Sequence, residues 1–502
     1  MKWVRILRKD WLREKSEQQT KSISAKLREL KKSADFVNEQ HKKAVGSYVI
    51  SYYKSVVDPD IVHRDILAYL NSESVTSLHE LYEQVPIAVK KISSDWGEIQ
   101  EKCLRGHVVI QCSDHDQECL LVEATLSNGR QVNSPEVEFS VVGPKEAFVE
   151  SLDMNLNLIR KRLPIANLQV NEIIVGTLSK TRVAICYLDG FTNEEYVNTI
   201  TQRIRDIEFD NFTDISVLIQ MIEDNSKSVF PQLIETERPD RLATGLALGQ
   251  VGVLMDGSPS SVIGPAKLTW FLIANEDYYL PWHIGTFYRV MRHVAVLFSV
   301  LATSLYVAIL TYHYQVIPTT LLPTIVSSRI NIPFPPFLEV MIMEFTIELL
   351  REAGARLPTK VGQTIGIVGG IVLGTAAVQA SLTSNILLIL VALSALASFT
   401  TPIFRMSNTI RILRLPFIIA AEVWGLLGIF ICGGFVITHL LRLKSLGIPY
   451  LAPFYPLRPA DLKDSIVRFS YGATYLRPGY LRTKNPVRFP ASRVKVKKDI
   501  DE

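Results

Sequence analysis

The chain is poor in cysteine and lacks the common catalytic motifs. Five of its 502 residues are cysteine, and four of these fall in the polar first half. Cysteines this sparse imply no disulfide framework and fit a reducing compartment. The same half contains no Walker loop, no GxGxxG after a strand, no HExxH and no GxSxG. We therefore predict no enzymatic activity, no catalytic residue and no cofactor.

One group of cysteines and histidines invites comparison with a metal site. Its spacing contains neither CxxC nor HxxxH, and alternation along two strands would scatter the side chains over both faces of a sheet. We therefore expect ordinary buried or surface side chains here, without a metal. The group consists of Cys103, His107, Cys112, His115 and Cys119.

No excess of one charge is present either. Lysine and arginine total 54 against 50 acidic residues, a formal net charge of +4, which gives no reason to expect a nucleic-acid partner. The mean hydropathy of +0.18 is high for a soluble protein and low for one wholly within a membrane. The first residues contain no apolar core or cleavage site of a signal peptide. The chain is therefore predicted to be part soluble and part membrane-embedded.

The predicted fold class is mixed, with a soluble α/β (α+β) region of two subdomains followed by an α-helical polytopic membrane domain. Residues 1–32 carry about eleven basic against about four acidic residues, so this arm either touches anionic lipid or is simply solvated. From Ser33 to Glu101 the pattern, including Val49 and Tyr52, suggests packed helices. The predicted units are a basic arm (1–32), a helical subdomain with a hairpin (33–140), an α/β subdomain (141–285), the membrane domain (286–445) and a cytoplasmic tail (446–502).

The candidate membrane spans leave the number of crossings open. Basic residues before the first span and after the last place both chain ends in the cytoplasm, which requires an even number. Arg405, Arg411 and Arg414 also look cytoplasmic, which would make the number odd. We favour four crossings, with an acidic helix that is interfacial or re-entrant. The candidate spans are Val294–Ile317, Val361–Leu382, Asn385–Ile403 and Pro416–Leu441.

That acidic helix places charge within apolar sequence between positions 332 and 356. On a helix, Glu344, Glu348, Arg351 and Glu352 share one stripe, while Glu339 lies on the apolar side. A charge at mid-bilayer costs roughly 2.5–3.5 kcal/mol on insertion scales, so these groups must face protein, water or the interface. Two interpretations stay open: an amphipathic helix at the membrane surface, or an acidic vestibule around a pore built from several copies.

The next apolar run contains a regular stripe of glycines. Each costs about 1 kcal/mol relative to alanine in a helix, and small residues four apart allow another backbone to approach closely. The stripe indicates either helix packing within one chain or a seam between subunits. Thr375, Gln379 and Thr383 add a polar stripe at the end of the same helix, where we expect pore positions if the chain oligomerises. The glycines are Gly362, Gly366, Gly370 and Gly374.

A series of ordered motifs makes the chain resemble a known family. They span about residues 140 to 470, and they resemble the A subunit of spore germinant receptors, the GerA family. The same motifs do not separate it from a stage V sporulation paralogue. The most distinctive motifs are Thr236-Glu237-Arg238-Pro239-Asp240, Asp256-Gly257-Ser258-Pro259, Asp277-Tyr278-Tyr279, Pro333-Phe334-Pro335, Glu348-Leu349-Leu350-Arg351-Glu352-Ala353-Gly354 and Leu457-Arg458-Pro459-Ala460-Asp461.

The resemblance implies a multi-pass protein of the spore inner membrane with both termini on the cytoplasmic, spore-core side. It implies a transporter-like B subunit and a lipoprotein C subunit as partners. It further implies a homo-oligomeric ring that conducts monovalent cations when germinant binds. The alternative is a non-conducting scaffold that clusters receptors. The expected ion path is Glu344, Glu348, Thr375 and Gln379, the glycine stripe is the seam, and the family-motif or gating positions are Arg238, Pro239, Asp240, Asp256, Arg351 and Glu352.

Overall fold

The computed structural model describes residues 22–42, 47–70, 77–112, 118–126, 135, 138–356 and 372–489. Its first subdomain is built on a five-stranded antiparallel sheet with the strand order β1-β2-β4-β5-β3. The strands are β1 (Phe36–Lys42), β2 (Ser47–Tyr53), β3 (Lys90–Ser93), β4 (His107–Gln111) and β5 (Cys119–Glu123). The helices are α1 (Ile23–Leu30), α2 (Leu78–Gln84) and α3 (Trp96–Leu104), with a further helical segment over Pro59–Ile61, Val62–Leu67 and Ala68–Leu70.

The prediction of helices from Ser33 onward was wrong for its first part, since Val49 and Tyr52 lie on β2. The segment Ser47–Tyr53 is rich in valine, isoleucine and tyrosine, which favour strands. Four successive residues of β2, from Tyr48 to Ser51, are buried, so the strand lacks the simple alternation that would have marked it. The hairpin of β4 and β5 was predicted correctly.

The second subdomain contains another antiparallel sheet, ordered β6-β7-β9-β10-β8. This order repeats that of the first sheet strand for strand, and the helices fall at equivalent places along the chain. The soluble region is therefore one topology used twice. Its strands are β6 (Leu168–Val175), β7 (Thr181–Leu188), β8 (Ile234–Thr236), β9 (Val251–Met255) and β10 (Ser261–Gly264), and its helices α4 (Leu152–Arg162), α5 (Glu194–Arg205), α6 (Ile215–Ile222) and α7 (Pro239–Leu248).

A buried ion pair joins the two subdomains. The Arg160 guanidinium of α4 donates to both carboxylate oxygens of Asp35 at 2.9 and 2.7 Å. Both side chains are at most 2% exposed, and the guanidinium also stacks 4.2 Å from the Tyr53 ring. Beside it, the Ala34 N–H donates to the Val170 carbonyl at 2.8 Å. The sheets are thus connected through their cores as well as through the chain.

The helical domain follows the second sheet. Among the described residues, two of its helices are long and apolar enough to cross a membrane, Trp282–Thr311 and Phe404–Arg442. Another helix covers 372–379. The helices named in the order of the chain are α8 (Glu276–Tyr279), α9 (Trp282–Thr311), α10 (Leu322–Arg329), α11 (Pro336–Arg356), α12 (Asn385–Ser398) and α13 (Phe404–Arg442).

Helix α13 reverses direction at Gly425, whose backbone has φ 60° and ψ −137°. The Thr409 hydroxyl donates to the Val229 carbonyl at 2.6 Å, and the His439 ring lies 2.8 Å from the Ser228 hydroxyl. A straight helix would separate positions 409 and 439 by about 45 Å, whereas adjacent residues lie about 3.8 Å apart. The two arms are therefore antiparallel, and the predicted single span Pro416–Leu441 is wrong because it contains this reversal.

Helices α9 and α12 run in opposite directions relative to the soluble region. Helix α9 leaves it, and the Tyr312 hydroxyl beyond its last turn donates to the Glu422 carbonyl near the reversal in α13 at 2.7 Å. Helix α12 runs back, since its N-cap Ser384 contacts the outer residue Tyr306 at 3.1 Å and its Ser398 contacts Arg351 at 3.3 Å. With 14 residues, α12 is about 21 Å long, shorter than the predicted span Asn385–Ile403.

The segment after α13 returns to the second sheet. Its Tyr450 is fully buried, with the carbonyl accepting from the Leu268 N–H at 2.9 Å and the hydroxyl donating to the Pro231 carbonyl at 2.7 Å. Tyr480 and Leu481 are buried as well. The prediction of a tail over 446–502 therefore needs correction up to residue 489. Residues 446–489 pack on the second subdomain, because their aromatic side chains complete its core. Residues 490–502 lie outside the described residues.

Candidate functional site

A buried ion pair in the helical domain brings four helices together. Arg414 of α13 donates to the Glu344 carboxylate of α11 at 3.1 Å. Its second terminal nitrogen donates to the Ser299 hydroxyl of α9 at 2.6 Å and the Ser394 carbonyl of α12 at 2.8 Å. Arg414 is 4% and Glu344 11% exposed. The acidic stripe therefore begins with a carboxylate that is neutralised inside the chain.

The next acid of the stripe, Glu348, is shared by two arginines. Its carboxylate lies 3.3 Å from the Arg411 guanidinium and 3.7 Å from that of Arg351, while 55% of its side chain is exposed. Arg351 also stacks 4.3 Å from the Phe399 ring. Glu352 pairs with Arg356 at the exposed end of α11 at 2.5 Å. Two glutamates, Glu344 and Glu348, thus lie next to three arginines. Positive charge is therefore in excess in this cluster of α11 and α13 side chains.

Glu339, which the sequence places on the apolar side, is fully buried rather than facing lipid. It pairs with Arg329 of the preceding short helix at 2.6 Å. The pairing explains how a carboxylate occupies an apolar face, because α10 brings a cation to it. The four glutamates of α11 are therefore all paired with arginines, which come from α10, α11 and α13.

The glycine stripe is described only at its last member. Gly374 is buried, and a side chain there would meet Leu388 of α12 at ordinary contact distance, 3.6 Å. This contact lies within one chain. Thr375 and Gln379 are exposed, whereas Thr383 is buried. Gly362, Gly366 and Gly370 lie outside the described residues.

The family-motif residues of the soluble region form a buried network. The Arg238 guanidinium donates to both oxygens of Asp240 at 3.0 and 2.9 Å, and the Tyr279 hydroxyl donates to the same carboxylate at 2.7 Å. Burial alone would raise the pKa of Asp240, but these hydrogen bonds outweigh it and hold the pKa below its ordinary value. Pro239 occupies the first turn of α7, where its fixed φ suits a helix start.

Asp256 has a separate structural role, as its carboxylate accepts from the Leu152 N–H at 3.0 Å. The N-cap residue of α4, Ser151, makes no side-chain capping bond, so Asp256 supplies the missing acceptor from a distant turn. The motif beginning at Asp256 thus fixes the start of the helix that also bears Arg160.

A charged junction that sequence reasoning missed lies at the base of α9. Arg289 contacts Asp277 at 3.2 Å and Asp464 at 2.6 Å, and Arg292 donates to Asp277 at 2.9 Å. Asp277 and Arg289 are almost completely buried. The available signal was the Asp277 motif next to two arginines three residues apart, which belong to the basic residues before the first predicted span.

Within the described part of the chain, no group of three or more metal-ligating side chains comes together. Cys103 and Cys119 are buried in the first core, and burial raises the pKa of Cys103 to about 12. His115 of the same sequence group lies outside the described residues.

Two sheets followed by a helical domain, in which two described helices are long and apolar enough to cross a membrane, are the architecture of a membrane-associated protein with a large soluble portion. The chain matches the family described as Bacillus/Clostridium GerA spore germination protein over residues 24–480. It is 47% identical over 478 residues to spore germination protein GerQA of Bacillus cereus, covering 95% of this chain and 96% of that protein. It is 46% identical over 449 residues to spore germination protein GerIA of Bacillus cereus, covering 89% and 67%. The chain therefore belongs to the GerA family of spore germination proteins, and the predicted resemblance to receptor A subunits is confirmed.

A solved structure also resembles part of the chain. It is the crystal structure of the N-terminal domain of the A subunit of the Bacillus megaterium spore germinant receptor GerK3. The similarity covers 48% of this chain and 92% of that one, with 24% sequence identity and a TM-score of 0.37.

Proposed function

We propose that this chain, a spore germinant receptor A subunit, oligomerises in the spore inner membrane and forms a cation channel that opens when germinant binds. The observation that carries the proposal is the buried Glu344–Arg414 pair, on which four helices converge. Ionisable groups within apolar helices are costly and commonly mark ion paths. Membership of the germination family gives the proposal its biological setting.

The pairing of the acids supports a closed arrangement. Glu344 and Glu348 are the proposed cation-attracting groups, yet Arg414 and Arg411 neutralise both. An excess of positive charge repels cations. Opening then requires Arg414 to leave Glu344, which exposes the carboxylate to the path. Arg351 and Glu352 flank this point on α11, and we propose that they contribute to gating.

The subunit seam is proposed from the glycine stripe. Gly374 packs within one chain, so the proposed contacts between copies centre on Gly362, Gly366 and Gly370. Thr375 and Gln379 are exposed on a single chain, which leaves them available to line a path once copies assemble into a ring. A homo-oligomeric ring with Thr375 and Gln379 facing its centre satisfies both features.

The proposed topology is multi-pass with both termini on the cytoplasmic, spore-core side. The reversal at Gly425 supports it, since Arg405 pairs with Glu223 of the soluble region at 3.3 Å while Lys444 follows the returning arm. Both basic positions then lie on one face of the membrane, as the distribution of positive charge requires. We further propose association with a transporter-like B subunit and a lipoprotein C subunit, and contact of the basic arm 1–32 with membrane lipids.

Cation flux from liposomes tests the channel proposal. The protein is reconstituted into vesicles loaded with potassium, and ion release is measured for the natural chain and for Arg414→Met. We expect the variant to release potassium faster, because Glu344 loses its partner. The matched control is Arg356→Met, whose guanidinium is exposed and, among the described residues, pairs with Glu352 alone. An Arg414→Met protein that folds, assembles and releases no potassium would contradict the proposal.

The second candidate is a non-conducting scaffold that clusters receptor complexes. The pairing of the acids also favours this candidate, because each acid of α11 already has a partner within one chain and needs no pore. The variant Gly370→Leu separates the two functions. Loss of flux with intact assembly supports a pore, whereas loss of assembly without any flux in the natural protein supports the scaffold.

A further inference from the structure

A cavity of about 240 Å³ lies between the second sheet and the segment that follows α13. It is bounded by Lys267 and Trp270 on one side and by residues 460–488 on the other. A neighbouring cavity of about 190 Å³ shares Leu248, Asp464 and Arg488 with it. Neither space belongs to the ion pairs of α11, so the proposed channel does not account for them.

The chemistry of the cavity centres on a buried lysine. Lys267 is 1% exposed, and its ammonium donates to the Ser465 hydroxyl at 3.1 Å. The same nitrogen lies 4.8 Å from the Tyr480 ring and 5.8 Å from the Trp270 ring. An ammonium carries three donors, and among the described residues one of them is taken by Ser465. Aromatic walls next to a cation suit an organic molecule with one charged end.

A second polar group in the wall is unsatisfied. The Tyr480 hydroxyl is buried and has no hydrogen-bond partner within the part of the chain that the structure describes. Buried polar atoms normally find partners, because leaving one unpaired costs roughly 1–3 kcal/mol. The hydroxyl and the ammonium therefore give the cavity two sources of hydrogen bonds.

Cations outnumber acids in the wall, which determines the sign of its net charge: Lys267, Lys463, Arg477 and Arg488 stand against Asp461 and Asp464. Asp461 accepts from the Gly479 and Tyr480 N–H groups at 2.8 and 3.1 Å. Asp464 pairs with Arg289 at 2.6 Å and accepts from the Tyr278 hydroxyl at 2.9 Å. By contrast, the exposed Lys463 and Arg488 of the wall have no carboxylate partner among the described residues. The net charge of the wall, as far as the structure describes it, is thus positive.

We propose that this cavity binds a small organic anion, whose oxygens accept hydrogen bonds from the Lys267 ammonium and the Tyr480 hydroxyl and whose apolar part lies against Trp270. A carboxylate on a ring or short apolar chain meets these requirements and fits the volume. This proposal does not rest on cation conduction. Binding is measured without flux, so either proposal can fail while the other stands.

The pH dependence of the site follows from the lysine. Burial lowers the pKa of Lys267 to about 8, although Asp464 and Asp461 act to raise it, and Arg289 lowers it further. Below pH 8 the side chain is charged and binds an anion. Above pH 8 the affinity falls, by up to about tenfold per pH unit, because the neutral amine must first take up a proton. Binding near pH 8 is therefore accompanied by proton uptake.

Calorimetry on the purified full-length protein tests the proposal, with benzoate as the probe and benzamide as its neutral isostere. We expect benzoate to bind at pH 7, benzamide not to bind, and Lys267→Met to weaken benzoate by about 10- to 100-fold. Tyr480→Phe, which removes one oxygen, should weaken it by about 3- to 10-fold. Lys161→Met, an exposed lysine elsewhere, is the control and should bind normally.

Each contrary outcome overturns the assignment. Equal binding of benzoate and benzamide would show that the cavity does not select an anion. Unchanged benzoate binding by Lys267→Met would show that Lys267 is not a ligand-binding residue. If Lys267→Met fails to fold, Tyr480→Phe and the loss of binding between pH 7 and 9.5 carry the test. Absence of benzoate binding to the natural protein at pH 7 refutes the site as stated.

Discussion

The ion pair between the two subdomains makes a quantitative prediction. Replacing Arg160 with methionine leaves the Asp35 carboxylate buried without its cation. Removing one partner of a buried pair costs about 3–5 kcal/mol, and the lost stacking on Tyr53 adds about 0.5–2 kcal/mol. We therefore expect Arg160→Met to lower the free energy of unfolding of the soluble region by about 3.5–7 kcal/mol, a large part of the stability of an ordinary domain.

Pulse proteolysis of the full-length protein in urea measures this loss. The double variant Asp35→Asn with Arg160→Met removes both charges and should recover much of the loss, since no charge is then stranded. The control is Arg105→Met, which breaks the exposed Arg105–Glu101 pair and should cost about 0–1 kcal/mol. If Arg160→Met costs no more than Arg105→Met, or if the double variant loses the sum of the single losses, the two subdomains are not held together in this way.

Three further predictions concern acid stability, the reversal and the topology. The pKa of Asp35 is lowered because its pairing with Arg160 outweighs burial, so its contribution is complete above the ordinary value of 3.8 and is lost as the pH falls towards the folded-state pKa. Asp35→Asn should remove this acid-dependent slope in urea unfolding. Gly425→Ala should cost about 1–3 kcal/mol, because φ is positive and a methyl group there would lie 2.9 Å from His313, whereas Gly434→Ala, with open space, should not destabilise; melting temperatures compare the two. Cysteines at positions 404 and 444 should be labelled from the same side of reconstituted vesicles, and one at 314 from the other; opposite labelling of 404 and 444 would exclude the antiparallel arms.

The sequence predicts the fold class well and the details of the first subdomain poorly. The mixed class of a soluble α/β region followed by apolar helices is confirmed, because composition and hydropathy report it directly. The duplication of the sheet was not predicted, since it exists in the strand order rather than in a repeated motif. Strand β2 was interpreted as helix because both of its faces are buried, which hides the alternation of an ordinary strand.

Helical periodicity could not predict which residues pair with the acidic stripe. Periodicity places Glu344 and Glu348 on one face, but it does not say which distant residues meet them. Arg411 and Arg414 lie about 65 residues further on and were interpreted as charges at a membrane edge. One signal was available: two arginines three apart and two glutamates four apart present matching spacings on facing helices.

The reversal at Gly425 reconciles charges that otherwise conflict. Counted as one span, residues 416–441 would put Arg405 and Lys444 on opposite faces of the membrane, although both segments are basic. The contacts of Thr409 and His439 with neighbouring residues of the soluble region instead bring both ends of α13 to one face. In the proposed topology the two arms add two membrane crossings, which leaves the parity of the preceding crossings unchanged and allows both chain ends to share a side. In this proposed topology, the reversal at a single glycine allows the basic residues at both ends of α13 to lie on the same side of the membrane.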